Sequence, residues 1–292
     1  YAPDNTPGNK TLFSKSVART LLAKIYAEKP LRDYTKVIQY CDEVKEDGFD
    51  LVDDFSDLFG MNAAGTDAKM RNTKESILEA QFTSGAGNWC TWMFGRDLVN
   101  WNNNFTWAKW VTPSRDLISA FKQEGDEVRF KESIVYYDCN WSNYYPSDNY
   151  PFMYKCRSAN SSIIKYRYAD VLLLKAEALI MQDTPDLEGA ADIIDEVRDR
   201  AKLGALPTSV RSNKNVLLNA LLKERRLELA FEGQRWFDLV RLDKVEEVMN
   251  AVYAKDSGRK AQIYTFDKNS YRLPIPQSVI DANDKIHQNP GY

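Results

Sequence analysis

Apolar side chains recur at three- and four-residue intervals in three stretches of the chain, and each stretch reads as a pair of amphipathic helices. In the first, Val17, Leu21, Leu22 and Ile25 set the period, a polar turn surrounds Pro30, and Tyr34, Val37, Ile38, Cys41 and Val44 resume it. In the second, Val171, Leu172, Ala176 and Leu179 precede the turn Asp183-Thr184-Pro185. Thr184 is expected to cap the next helix with Pro185 in its first position, where a missing N–H costs nothing. Leu187, Ala190, Ile194 and Val197 then carry the period. The third pair covers residues 215–230 and 234 to about 251, with Gly233 as the left-handed residue that ends its first helix. The first two pairs are helix–turn–helix units of about tetratricopeptide length. Ala18, Leu21, Leu22 and Lys24 of one align with Ala169, Leu172, Leu173 and Lys175 of the other.

Between these pairs, residues 51–165 follow a different rule. This stretch holds Trp89, Trp92, Trp101, Trp107, Trp110 and Trp141, six of the seven tryptophans, among Asn, Ser and Gly. Short β-like runs are predicted over 76–82, 133–137 and 162–167, and one amphipathic helix over 114–123. A long irregular insertion in a helical array is functional or disordered, and this aromatic content argues against disorder. The expected fold is all-α: a tetratricopeptide-like helical-hairpin scaffold with a loop-rich aromatic insertion containing short strands. It is read as a single domain over 1–292, with repeats near 10–50 and 166–252, the insertion at 51–165 and a C-terminal segment at 253–292.

Composition narrows the function. With 39 basic and 42 acidic residues and a net charge of −3, the chain has no basic block to neutralise phosphates, so nucleic acid is not an expected partner. No apolar run approaches the roughly 20 residues of a membrane span. Cys41, Cys90, Cys139 and Cys156 make no Cys-x-x-Cys pair; Cys139 and Cys156 are read either as a bridge or as buried thiols. A single histidine, His287, is read as a surface residue and excludes a His-based zinc cluster. Asp50, Asp53, Asp54 and Asp57 lack a calcium-loop pattern. No cofactor, metal or catalytic residue is expected.

The candidate chemistry lies in the insertion. A flat aromatic ring stacks on the C–H face of a sugar, while amide and charged side chains bond its hydroxyl edges. Two patches combine these parts. One is Trp89, Trp92, Arg96, Asp97, Trp101, Asn102 and Asn103; the other is Trp141, Asn143, Tyr144 and Tyr145. The competing reading makes the same rings the core of the insertion, because large aromatics are mostly buried. Trp107 and Trp110 are assigned to core.

Two C-terminal runs, E-R-R-L-E-L-A-F-E-G-Q-R-W-F-D-L-V-R-L at 224–242 and Y-R-L-P-I-P-Q-S-V-I-D-A-N-D-K-I-H-Q-N-P-G-Y at 271–292, closely resemble the SusD/RagB family. R-Y-A-D-V-L-L-L-K-A-E-A-L at 167–179, T-K-E-S-I-L-E-A-Q-F at 73–82 and T-P-S-R-D-L-I-S-A-F at 112–121 extend the resemblance, as does E-V-R-F at 127–130, read as a turn before a strand. The front of the family pattern is missing. In the first run, Glu224, Glu228 and Glu232 line one helical face, and Arg225, Arg226, Arg235 and Arg241 are their expected counter-ions in a structural latch. Trp236, Phe237, Leu239 and Val240 are expected to wedge the helix that follows. The resemblance implies a non-catalytic, surface-exposed outer-membrane lipoprotein whose lipid anchor is absent from this chain. It would capture an oligosaccharide or polysaccharide for a TonB-dependent, SusC-like outer-membrane transporter. The alternatives are a helical-repeat interaction module, a peptide-binding member of the family, or a glycoside hydrolase using two carboxylates.

Overall fold

The computed structural model describes residue 4 and residues 9–83, 87–88, 112–139, 143–255 and 265–292. The chain divides into two compact units, Tyr1–Gln234 and Arg235–Tyr292. In the first unit, helix α1 (Lys15–Ala27) starts where the Ser14 hydroxyl accepts the Val17 amide at 3.3 Å. Helix α2 (Tyr34–Glu46) starts where Asp33 accepts the Lys36 amide at 3.1 Å. Each cap satisfies an amide that a first helical turn leaves unbonded.

The two helices form the expected hairpin, but α1 buries a different face. Leu21 and Ile25 are exposed, whereas Ser16, Val17, Thr20, Ala23 and Ala27 are buried. Both faces fit the helical period. The small-residue face turns inward because it lets α2 approach closely.

Short α3 (Ser56–Phe59) leads to strand β1 (Ser76–Ala80). Helix α4 (Arg115–Glu124) is capped by Ser114 and ended by Gly125 at φ +70°. Helix α5 (Glu127–Ser133), where a turn was expected, is capped by Asp126 and runs straight into β2 (Ile134–Tyr137). Strand β3 (Tyr150–Met153) pairs antiparallel with β2, Ile134 opposite Met153 and Tyr137 opposite Tyr150. Strand β4 (Ile163–Arg167) pairs antiparallel with β1, Ser76 opposite Arg167. Three of the four strands fall in the predicted runs. β3 was missed because all four of its residues are buried, which removes the alternation that marks a strand.

Four helices follow: α6 (Tyr168–Met181), α7 (Leu187–Arg200), α8 (Thr208–Arg211) and α9 (Lys214–Glu228). Eleven of the fourteen residues of α6 are buried, as befits a helix surrounded by others; it packs on α1, α2, α7 and α9. Val17, Val37, Leu173, Ile194, Leu217 and Leu221 lie in one core joining these helices. The cap of α7 is Asp186, which accepts the Gly189 amide at 2.9 Å, and not Thr184. Helix α9 stops at Glu228, before the expected end, and two left-handed residues shape the turn beyond it: Phe231 at φ 65° and Gly233 at φ 77°. No helix among the described residues is long and apolar enough to cross a membrane.

The second unit contains α10 (Arg235–Arg241), α11 (Val245–Lys255) and α12 (Gln277–Asp281). One helix was expected over 234–251; Asp243 at φ 56° breaks it in two. Leu239 is buried, whereas Phe237 is 60% exposed. The two prolines of Leu-Pro-Ile-Pro hold an extended segment whose backbone is fastened by the terminal residues. Gln288 bonds both the N–H and the carbonyl of Ile275, at 2.8 and 2.9 Å. Asn289 donates to the Leu273 carbonyl at 2.7 Å, and the Tyr292 hydroxyl to that of Arg272 at 3.1 Å. Gly291 has φ 98°, and a Cβ there would come within 2.6 Å of Asn269 Cβ, so the turn needs glycine. The two halves of the terminal motif are thus one clasp.

Candidate ligand-binding site

The latch predicted from Glu224, Glu228 and Glu232 is present, but distant elements supply its cations. Arg129 on α5 bonds Asp126 and Glu224 at 2.5 Å and Glu228 at 3.0 Å. Arg167, the last residue of β4, reaches Glu75 at 2.7 Å, Glu228 at 2.5 Å and Glu232 at 2.6 Å. Arg200, ending α7, bonds Glu75 at 2.5 Å and also Glu228. Lys155 bonds Glu232 at 2.6 Å.

The arginines expected in these roles turn elsewhere, Arg225 to Asp170 at 2.7 Å and Arg226 to Asp116 at 2.6 Å. Arg241 pairs with Asp238 at 2.8 Å. Successive helical residues point about 100° apart, so Arg225 faces α6 while Glu224 faces α5. Burial raises the Asp126 and Glu224 carboxyls despite Arg129. Burial acts on Glu228 too, but Arg200, Arg167, Arg129 and Lys155 outweigh it and hold that carboxyl well below its usual range. Burial pushes the Lys155 ammonium down to about 8.

This cluster holds both ends of one loop. Arg129 lies on α5, which feeds β2; Lys155 and Arg157 follow β3, and Arg157 bonds Glu132 at 2.9 Å. The loop between β2 and β3 carries the second aromatic patch. Its base is closed by the Cys139 amide donating to the Ser147 carbonyl at 2.5 Å. Tyr150 and Phe152 are buried and pack with their rings tilted by 43° and their centroids 5.2 Å apart. The Tyr145 ring meets Tyr150 edge-on at 5.6 Å, and its hydroxyl donates to the Pro113 carbonyl at 2.7 Å.

Tyr144 lies perpendicular to Tyr145 with centroids 5.0 Å apart. The guanidinium carbon of Arg115 sits 4.1 Å from the Tyr144 centroid and 4.6 Å from that of Tyr145, and Arg115 Nη2 donates to the Tyr144 carbonyl. Tyr144 and Tyr145 are half-buried and Asn143 is exposed. The series runs from the buried Tyr150 and Phe152 to the half-buried Tyr145 and Tyr144 and the exposed Asn143, and rings with a neighbouring amide are the parts needed to stack on a sugar and bond its edge.

Of the predicted site residues, Asn143, Tyr144 and Tyr145 are brought together in this loop. Trp89, Trp92, Arg96, Asp97, Trp101, Asn102, Asn103 and Trp141 lie outside the described residues, as do Cys90, Trp107 and Trp110. Cys41, Cys139 and Cys156 are buried free thiols. His287 is exposed. Arg115 and Pro113, which meet these tyrosines, were missed, because T-P-S-R was read only as a helix start.

One concave feature was not legible in the sequence at all. A cavity of about 420 Å³ is lined by Phe59, Met153, Lys155, Phe231, Glu232 and Gln234, among others. Its walls come from segments far apart in sequence, so no local pattern announces it.

A model of the SusD family matches residues 145–292. The chain is 43% identical over 99 residues to SusD-like protein P38 of Formosa agariphila, a match covering 32% of this chain and 19% of that protein. Among solved structures, a laminarin-binding SusD-like protein superposes with a TM-score of 0.72 at 24% identity, covering 100% of this chain and 66% of its own. Surface glycan-binding protein A from Bacteroides thetaiotaomicron, in complex with laminarihexaose, gives 0.74 at 19% identity, covering 99% and 66%. The chain therefore spans less than two thirds of the relatives it matches. Their common architecture is the tetratricopeptide-like helical fold with few short strands seen here. The family match takes in both C-terminal runs and the clasp, and on that basis the chain belongs to the SusD family.

Proposed function

We propose that this chain is the glycan-binding part of a surface nutrient-capture protein and that it binds its ligand without cleaving it. The observation that carries the reading is the graded aromatic loop at Asn143–Tyr145, presented on a family fold whose structural neighbours are described as binding laminarin and laminarihexaose. Stacking on Tyr144 with edge contacts from Asn143 leaves much of an oligosaccharide hydrated. Affinity should therefore be modest, with Kd on the order of 10–100 μM. Trp141, adjacent in sequence, and the tryptophan patch beginning at Trp89 would extend the surface. The family further suggests an outer-membrane lipoprotein working over a SusC-like TonB-dependent transporter.

Calorimetric titration with laminarihexaose and with oligosaccharides of other linkages tests this. Wild type should bind at least one glycan saturably. Tyr144→Ala should weaken that binding by roughly tenfold, the worth of one aromatic stack, with an unchanged unfolding midpoint. Binding of peptides alone, or equal affinity in wild type and Tyr144→Ala, would contradict the site.

A further inference from the structure

The two neighbouring tyrosines of the loop have different surroundings, and the difference points to a residue outside the predicted patch. Arg115 is the first residue of α4, a helix fixed by the Ser114 cap, which accepts the Leu117 amide at 3.1 Å. The same helix buries Leu117, Ile118 and Phe121 in a core shared with Leu227 and Ala230. The backbone that carries Arg115 is therefore anchored independently of the loop. Its guanidinium covers both tyrosine rings and bonds the Tyr144 carbonyl, so one planar cation restrains a backbone group and two side chains together. A further tie to the α4 end is the Tyr145 hydroxyl on the Pro113 carbonyl at 2.7 Å. Among the described residues of the loop, the Cys139 amide donates to the Ser147 carbonyl and the Asn149 amide to the Pro146 carbonyl at 3.2 Å.

We propose that Arg115 is the positioning residue of the aromatic loop and that Tyr145 is its anchor, leaving Tyr144 as the ring that meets ligand. Lysine would keep the charge but lose the planar fork that spans both rings and the carbonyl. The proposal rests on the glycan-binding reading for its functional consequence, but the positioning itself does not depend on any ligand.

Amide hydrogen exchange measured without ligand tests the positioning. Arg115→Ala should speed exchange over residues 143–149 by roughly tenfold, the factor expected from one lost cation–π contact, while residues 117–124 keep wild-type protection. Tyr145→Phe should do the same more weakly, and Tyr144→Phe should not. Unchanged exchange over 143–149 in Arg115→Ala would overturn the proposal whether or not a glycan is found. With a bound glycan in hand, Arg115→Ala should weaken binding roughly tenfold and Arg115→Lys should restore only part of it. Full affinity in Arg115→Ala, alongside loss in Tyr144→Ala, would overturn the positioning role while leaving the binding reading intact. No binding by wild type would count against the binding reading alone.

Discussion

Replacing Arg167 by methionine should cost the first unit about 3–5 kcal/mol, a large share of the roughly 5–15 kcal/mol that holds a folded domain together. Arg167 is 1% exposed and bonds Glu75 and Glu228, whose side chains are fully buried, and Glu232, which is 10% exposed. Its loss would leave two buried acids and one partly buried acid sharing Arg200, Arg129 and Lys155. Removing one partner of a buried ionic group is expensive because the other charges stay desolvated, even where the intact cluster itself adds little net stability.

Arg211 provides the control. It also meets three acids, Glu188, Asp192 and Asp195, but Glu188 and Asp192 are 72% and 67% exposed. Arg211→Met should therefore cost no more than about 1 kcal/mol. Urea unfolding followed by far-UV circular dichroism separates the two. Equal midpoints for Arg167→Met and Arg211→Met would mean that the buried cluster does not hold the fold.

The second large effect is expected at Asp170. This carboxylate sits in the first turn of α6, where it accepts Lys24 from α1 at 2.6 Å and Arg225 from α9 at 2.7 Å. Burial would raise its pKa, but Lys24 and Arg225 outweigh burial and hold it well below the usual carboxylate range. Asp170→Asn preserves the shape and removes the charge, leaving Arg225 almost fully buried without its counter-ion; the cost should be about 3 kcal/mol.

The sign of its pH dependence follows from the depressed pKa. A carboxylate with a folded pKa below its unfolded value of about 3.9 contributes stability above that pH and loses it as the pH falls through the folded value. The gap between wild type and Asp170→Asn should be constant from about pH 5 to 8 and narrow below about pH 4. A gap that widened on acidification would contradict the assignment.

Periodicity revealed the hairpins because a helix at the surface must bury one stripe, and α1, α2 and α7 each carry one, while α6 is buried nearly all round. It could not choose between two apolar stripes on the same helix, which is why Leu21 and Ile25 were placed inside and are found outside. Nor could it locate a break made by backbone conformation alone, as at Asp243. The latch shows the same limit at longer range. Glu224, Glu228 and Glu232 were recognisable as one charged face, but their partners Arg129, Arg167 and Arg200 come from three other elements. Only tertiary structure pairs residues some 30 to 100 positions apart.

In the candidate site, the aromatic and amide composition around Asn143–Tyr145 was visible because exposed rings among polar residues are unusual. What the composition did not show is the division of labour between Tyr144 and Tyr145. That depends on Pro113 and Arg115, which lie about thirty residues upstream and read as an ordinary helix start.

The central claim is that the chain holds a glycan and leaves it intact. The most direct test is to titrate its tryptophan fluorescence with a panel of soluble polysaccharides, laminarin among them, and to chromatograph each glycan afterwards. A saturable change with at least one glycan, and no shortening of that glycan, is the predicted result. Shortened products, or silence across the panel while the protein remains folded, would contradict it.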